Sequence, residues 1–225
     1  MSLIAPALTG LPAFDADTLC DEIVAQGWSV CRLADPVMLA ALCDEAVALW
    51  QEDELSPAGV GRAKDHDVVR RIRRDKTRWL DGSSPAQTAY LAFAEALRRE
   101  INYRLMLGLF AFEAHYAVYE SGGFYKRHID SFHGARNRML SSVLYLNRDW
   151  DRSEGGLLRL YAPDSDRLVQ EVVPEFGTLA VFLSEDIPHE VTPAGRERFS
   201  IAGWHRCNDR SQVPALQART LPAGG

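Results

Sequence analysis

An α+β chain with a mainly β core, built as a sandwich or barrel with a jelly roll among the candidates, is the fold class that three observations predict. The first hundred residues carry helical periodicity around a strand or two. From Gly108 onward the apolar period drops to two, in short runs separated by Gly, Pro, Asp and Asn. At 225 residues the chain is long enough for one domain with a sizeable core.

Taken in order, Asp17 can cap a short helix carrying Leu19, Ile23 and Val24 and closed by Gly27. "GWSVCRL" is short, bounded and partly β-branched, which suits a strand. Asp35 followed by Pro36 opens a longer helix with Leu39, Leu42, Cys43, Ala46, Leu49 and Trp50 on one stripe. The stretch "SPAGVGRAKDH", 56 to 66, reads as a loop. Ser84 and Pro85 begin a third helix with Tyr90, Phe93, Leu97, Ile101 and Leu105 near helical spacing, expected to lie across a sheet as a support. Strand-like runs follow: "GLFAFEAHYAVYE", "MLSSVLYLN", "GLLRLYA", "GTLAVFLSE" and "RFSIAGWHRC". The organisation expected is one domain over 1–225, with 1–107 mainly helical support and substrate loop, 108–207 the β core and 208–225 a tail that frays.

Composition narrows the function classes. A net charge of -6 gives no electrostatic reason to bind nucleic acid or a membrane surface. Cys20, Cys31, Cys43 and Cys207 form no CxxC pair, so neither a disulfide framework nor a thiolate zinc site is indicated, and reduced thiols in a cytoplasmic protein are the simpler expectation. No segment approaches the roughly 18 consecutive apolar residues of a membrane span.

The chemistry concentrates in "YKRHIDSFHG", 125 to 134. His128 and Asp130 are two apart, so on an extended segment their side chains leave the same face and reach one ion. "DIPHEVTP" offers His189 as a third ligand. Two imidazoles and a carboxylate on one side of an ion form the facial triad of non-haem Fe(II) oxygenases, which leaves positions open for co-substrate and dioxygen. Against this stands the plainer reading, since HxD occurs by chance and a lone histidine is more often a surface or core residue. His133 has the wrong parity and reads as loop; His66, His115 and His205 lack partners at metal spacing and read as structural or surface residues.

Arg198, nine residues after His189, adds weight. Residues 198, 200, 202 and 204 share a strand face, and the small Ser200 and Ala202 leave space beneath a guanidinium suited to a carboxylate, while Phe199 and Ile201 turn toward apolar packing. An exposed arginine in a salt bridge is the alternative. Tyr145 shares parity with Ser141 and Val143; its phenol either donates to the same carboxylate or serves as core aromatic.

The ordered set "IRRDKTRWLDG", "YKRHID", "VLYLNRDW", "EGGLLRLY" and "PHEVTPAGRERFSIAGW" resembles the 2-oxoglutarate and Fe(II)-dependent dioxygenases, and within them the prolyl hydroxylases of the oxygen-sensing type and their bacterial relatives, over roughly residues 70 to 206. The resemblance implies a double-stranded β-helix, or jelly roll, with helices on one sheet. It implies that His128, Asp130 and His189 bind iron, that Arg198 and Tyr145 hold the distal carboxylate of 2-oxoglutarate, that Tyr119 lies near metal and co-substrate, and that Trp204 and Arg138 face the substrate. Fe(II), 2-oxoglutarate and O2, with ascorbate as an accessory, are the implied cofactors, and the implied partner is a protein with a flexible proline-containing segment, the oligomeric state being open. A small-molecule or free amino-acid hydroxylase and a non-catalytic jelly-roll binding module stand as alternatives. The basic stretch "VVRRIRRDKTRWLDG", 68 to 82, is either a solvated strand face with paired charges or a rim for an acidic protein segment, with Trp79 expected to pack beneath it.

Overall fold

The computed structural model describes residues 14–58, 71–131 and 137–207. Helix α1 (Ala16–Gln26) starts at Asp15, whose carboxylate accepts the N–H groups of Asp17 and Thr18, both at 3.1 Å, and ends at Gly27, left-handed with φ 87°. Asp17 is therefore not the cap; it sits one step inside, where its charge complements the positive helix end. The buried stripe is Leu19, Cys20 and Ile23, while Val24 is exposed. Helix α2 (Pro36–Gln51) opens as expected, with Asp35 accepting from Met38 N at 2.9 Å and Pro36 in the first turn. Helix α3 (Pro85–Leu105) is capped by Ser84, buries Tyr90, Phe93, Leu97 and Ile101, and packs on α1 and α2.

Strands β1 (Trp28–Arg32), β2 (Ser56–Pro57), β3 (Asp75–Trp79), β4 (Leu109–Tyr119), β6 (Arg138–Tyr145), β9 (Thr178–Leu183) and β11 (Arg198–Cys207) form a seven-stranded sheet in the order β1-β9-β6-β11-β4-β3-β2. A second sheet runs β5-β10-β7-β8, from β5 (Tyr125–His128), β10 (His189–Val191), β7 (Leu158–Tyr161) and β8 (Leu168–Val172). Every pairing of neighbours is antiparallel. The two sheets make the double-stranded β-helix. The helices cover the outer face of the larger sheet, so all six residues of β9 are buried, whereas β11 divides its side chains between the helices and the space between the sheets.

Three strands, β1, β2 and β3, come from the part of the chain expected to be mainly helical support. Ser56 and Pro57, expected in a loop, pair with Thr77 and Lys76 at the sheet edge; the rest of that loop beyond Ala58 lies outside the described residues, as do His66, His133 and the tail. Among the described residues no helix is long and apolar enough to cross a membrane.

Candidate active site

Sheet register assembles the site. Strand β10 pairs with β5 so that His189 stands directly opposite His128, and Asp130 follows two residues after His128. The ligand atoms of His128, Asp130 and His189 lie within 4.8 Å of one another. Nε2 of His128 is 3.4 Å from Asp130 Oδ1, and Nε2 of His189 is 3.6 Å from Asp130 Oδ2.

Both imidazoles are oriented by their other nitrogen. Nδ1 of His128 donates to the Lys126 carbonyl at 2.8 Å, and Nδ1 of His189 to that of Ile187 at 3.0 Å. A carbonyl only accepts, so each ring carries its proton on Nδ1 and turns the Nε2 lone pair toward Asp130. Tyr125 stacks on His128 at 3.6 Å between centroids, and Arg73, which grips the buried Asp75 at 2.7 and 2.5 Å, lies over the Tyr125 ring. Ser141 Oγ donates to Asp130 Oδ2 at 2.6 Å. Burial by itself would raise the Asp130 pKa, but its attraction to the facing His189 and His128 rings and the hydrogen bond from Ser141 outweigh it and hold the carboxyl well below its usual range. Burial pushes His189 down to about 4. An ionised carboxylate beside a neutral imidazole is the protonation state in which such groups bind a metal.

Farther into the cavity, Arg198 is 1% exposed. Its Nε donates to the Gly156 carbonyl at 2.8 Å and its Nη1 to Ser200 Oγ at 3.3 Å. Its guanidinium carbon lies 4.9 Å from the centre of the Tyr145 ring and 5.1 Å from that of Tyr119. Gly156 has φ +63°, and a Cβ there would meet Arg198 Cδ and Trp150 Cζ2 at 3.0 Å, so this position needs glycine on both counts. The Tyr145 hydroxyl is buried without a hydrogen-bond partner, and burial raises its pKa to about 12, which keeps it a donor. A buried guanidinium beside an orphaned phenol is a site for a carboxylate, and two imidazoles with a carboxylate are ligands for a divalent transition metal. The residues present thus fit both Fe(II) and 2-oxoglutarate.

All eight residues singled out for the site, His128, Asp130, His189, Arg198, Tyr145, Tyr119, Trp204 and Arg138, line one cavity of about 850 Å³ between the sheets. Arg138 lies 3.7 Å over the Trp204 ring. Trp79 does not pack beneath the basic stretch: it is 51% exposed and meets His115 edge-on at 5.1 Å, because its strand parity turns it toward the cavity mouth. The described cations of that stretch are largely paired, Arg73 with Asp75, Lys76 with Asp53 and Glu120, and Arg78 with Glu54, which favours the paired-charge reading. Ser141, Tyr125, Gly156 and His115 were not foreseen as contributors. Parity marked the first and last, since Ser141 shares a face with Tyr145, and His115 shares one with Tyr119.

Comparison with known proteins agrees with this geometry. Residues 114–206 match the model of the 2OG-Fe(II) oxygenase superfamily. Human Egl nine homolog 1 is 34% identical over 172 residues, covering 72% of this chain and 39% of that protein. The chain thus spans less than half the length of this relative. A crystal structure of a Pseudomonas putida prolyl-4-hydroxylase superposes with TM-score 0.77 at 40% identity, covering 86% of this chain and 99% of that one. A prolyl hydroxylase in complex with a hypoxia inducible factor oxygen degradation domain peptide fragment, from Trichoplax adhaerens, gives 0.77 at 26% identity, covering 85% and 88%.

Proposed function

Because the chain belongs to the 2OG-Fe(II) oxygenase superfamily, we propose that it hydroxylates a prolyl residue in a flexible segment of another protein, using Fe(II), 2-oxoglutarate and O2 and releasing succinate and CO2. The observation that carries this is the joining, in one cavity, of the His128–Asp130–His189 triad to the buried Arg198 and the orphaned Tyr145 hydroxyl. The likeness to the P. putida and T. adhaerens prolyl hydroxylases supports the choice of proline, and the peptide held by the latter supports a protein segment over a free amino acid.

Each residue has a task in this reading. Nε2 of His128, Nε2 of His189 and the Asp130 carboxylate hold the metal, with their backbone and Ser141 partners fixing where the lone pairs point. Arg198 and the Tyr145 hydroxyl take the distal carboxylate of 2-oxoglutarate, Arg198 being already braced by Gly156 and Ser200. When bound, iron with 2-oxoglutarate supplies the oxidising equivalent that places an oxygen atom on the substrate carbon. Tyr119, Val191 and Leu158 close the cavity wall and exclude water. Trp204 and Arg138 face the remaining space, where the substrate sits. A cytoplasmic setting belongs to the same reading and is supported by cysteine usage without disulfide spacing.

The test is succinate formation with Fe(II), 2-oxoglutarate and proline-containing peptides, with mass spectrometry for a gain of about one oxygen, ~16 Da, on proline. Asp130→Ala and His189→Ala are expected to lower turnover by about a thousand-fold or more. Near wild-type turnover in either variant would sink the triad assignment, and oxygen gain confined to small molecules would replace proline with another substrate class.

A further inference from the structure

His115 is the one described histidine of the cavity that the reaction above does not use. It sits on β4 with Glu113, Ala117 and Tyr119 on the same face, opposite Trp79 on β3 and Ala202 on β11. Its ring meets Trp79 edge-on at 5.1 Å and Trp204 at 5.4 Å, and the two indoles lie 6.3 Å apart, so the three rings form one cluster. Nδ1 lies 3.0 Å from the Tyr116 carbonyl and must donate to it, which leaves Nε2 as a hydrogen-bond acceptor. Burial lowers the His115 pKa, opposed by the Tyr116 carbonyl and Asp75 and assisted by Arg73 and Arg138, so the imidazole is neutral at physiological pH. The ring lines the cavity.

The same wall holds the opposite deficit. Trp204 is 9% exposed and its indole N–H has no partner. One acceptor beside one unmatched donor, on a wall of aromatic rings, is the complement of an extended peptide residue, whose own N–H and C=O point to the same side. The same wall is braced at its end: Glu113 accepts from Arg138 at 3.0 and 2.8 Å and from Arg206 at 3.0 Å, and Arg138 lies across Trp204. Two arginines against one glutamate leave this end of the cavity positive. An internal peptide residue brings no charge there.

We propose that His115 determines substrate specificity in the hydroxylation described above: its Nε2 accepts a hydrogen bond from a backbone N–H of the peptide substrate lying along the wall made by His115, Trp79 and Trp204. The inference rests on the reading of the chain as a peptide hydroxylase and adds how the site tells a peptide from a smaller substrate.

The experiment uses the full chain with Fe(II), 2-oxoglutarate and synthetic proline-centred peptides. A peptide hydroxylated by the wild type is remade with each amide N–H flanking the proline replaced in turn by an ester oxygen. One ester position is expected to raise the peptide KM about five-fold in the wild type and to have no further effect in His115→Phe, which keeps the ring and loses the acceptor. His115→Phe is expected to raise KM for the all-amide peptide by a similar factor, with the change falling on the peptide KM rather than the 2-oxoglutarate KM, and His115→Gln to recover part of it. Equal ester penalties in wild type and His115→Phe would overturn the assignment. Should His115→Phe not fold, the ester series on the wild type decides, because indifference to every ester overturns it as well. If the wild type hydroxylates no peptide, the proposed reaction falls and this inference with it; peptide hydroxylation insensitive to residue 115 overturns the inference alone.

Discussion

Strand β11 faces two ways, and its two faces treat polar atoms differently. Toward the cavity it presents Arg198, Ser200, Ala202 and Trp204, alternating large polar or aromatic residues with small ones that leave space. Toward the helices it presents Phe199, Ile201, Gly203 and His205, and there the packing is shut: a Cβ at Gly203 would lie 2.5 Å from the Phe112 ring. Each face carries buried polar groups with no partner. On the cavity side these are the hydroxyl of Tyr145, on the neighbouring strand, and the indole N–H of Trp204; on the helix side they are the hydroxyl of Tyr116, on the other neighbouring strand, and both ring nitrogens of His205. An unmatched group beside a cavity is open to a partner on a ligand. The same deficit between a sheet and a helix costs stability and returns nothing to the site.

The largest effect expected from this contrast is at Arg198. Arg198→Ala should raise the KM for 2-oxoglutarate by about a hundred-fold, since it removes a charge-assisted, two-pronged contact, while leaving metal binding in place. Arg198→Lys should lose less than Arg198→Ala, because it keeps the charge but not the fork. Stopped-flow or equilibrium titration of the metal-loaded protein measures both. If Arg198→Ala changed thermal stability and left 2-oxoglutarate affinity alone, the cavity face would be as structural as the other.

The opposite outcome is expected at His205, which is fully buried against Phe112, ring to ring at 4.6 Å. Burial pushes its pKa down to about 3 from an ordinary 6.5, with Arg98 assisting and Glu95 opposing. Its folded-state pKa is the depressed one, so its stability contribution is intact above about pH 6.5 and is lost as pH falls toward 3, because the unfolded chain takes a proton that the native ring refuses. The slope is about 1.4 kcal/mol per pH unit, or roughly 2 kcal/mol between pH 6.5 and 5. His205→Leu should therefore stabilise the protein by about 1–2 kcal/mol at neutral pH and by more at pH 5. Urea unfolding at the two pH values measures this; an acid limb unchanged by the substitution would place the titrating group elsewhere.

How much of this could be read from the chain follows the range of the interactions involved. Strand parity is local, so the division of β11 into Arg198, Ser200 and Ala202 against Phe199 and Ile201 was legible, as was the common face of Ser141, Val143 and Tyr145. Helices α2 and α3 announced themselves through Asp35–Pro36 and Ser84–Pro85. The cap of α1 is Asp15 where the sequence suggests Asp17, because the extended backbone at Asp15, φ -87° and ψ 97°, lets its carboxylate reach the N–H groups of Asp17 and Thr18. Strands β5 and β10, of four and three residues, are too short to show a period, yet they bring His189 opposite His128. Trp79 and His115 depart from expectation for one reason. Their surroundings are set by cross-strand register between β3, β4 and β11; parity gives the face His115 shares with Tyr119 but not the indoles that meet it there.

The smallest of these effects, at Tyr145, separates the two kinds of deficit most cleanly. Tyr145→Phe deletes one hydroxyl and no packing, and in the protein without ligand that hydroxyl has no partner to lose. If the oxygen serves only the fold, its removal should relieve a buried unmatched group and leave 2-oxoglutarate binding alone. If it serves the carboxylate beside Arg198, stability should hold or rise by about 1 kcal/mol while 2-oxoglutarate affinity falls about five-fold. Stability and affinity then move in opposite directions on one substitution, which a loss of folding could not produce, and calorimetry of the same sample with and without 2-oxoglutarate reads both.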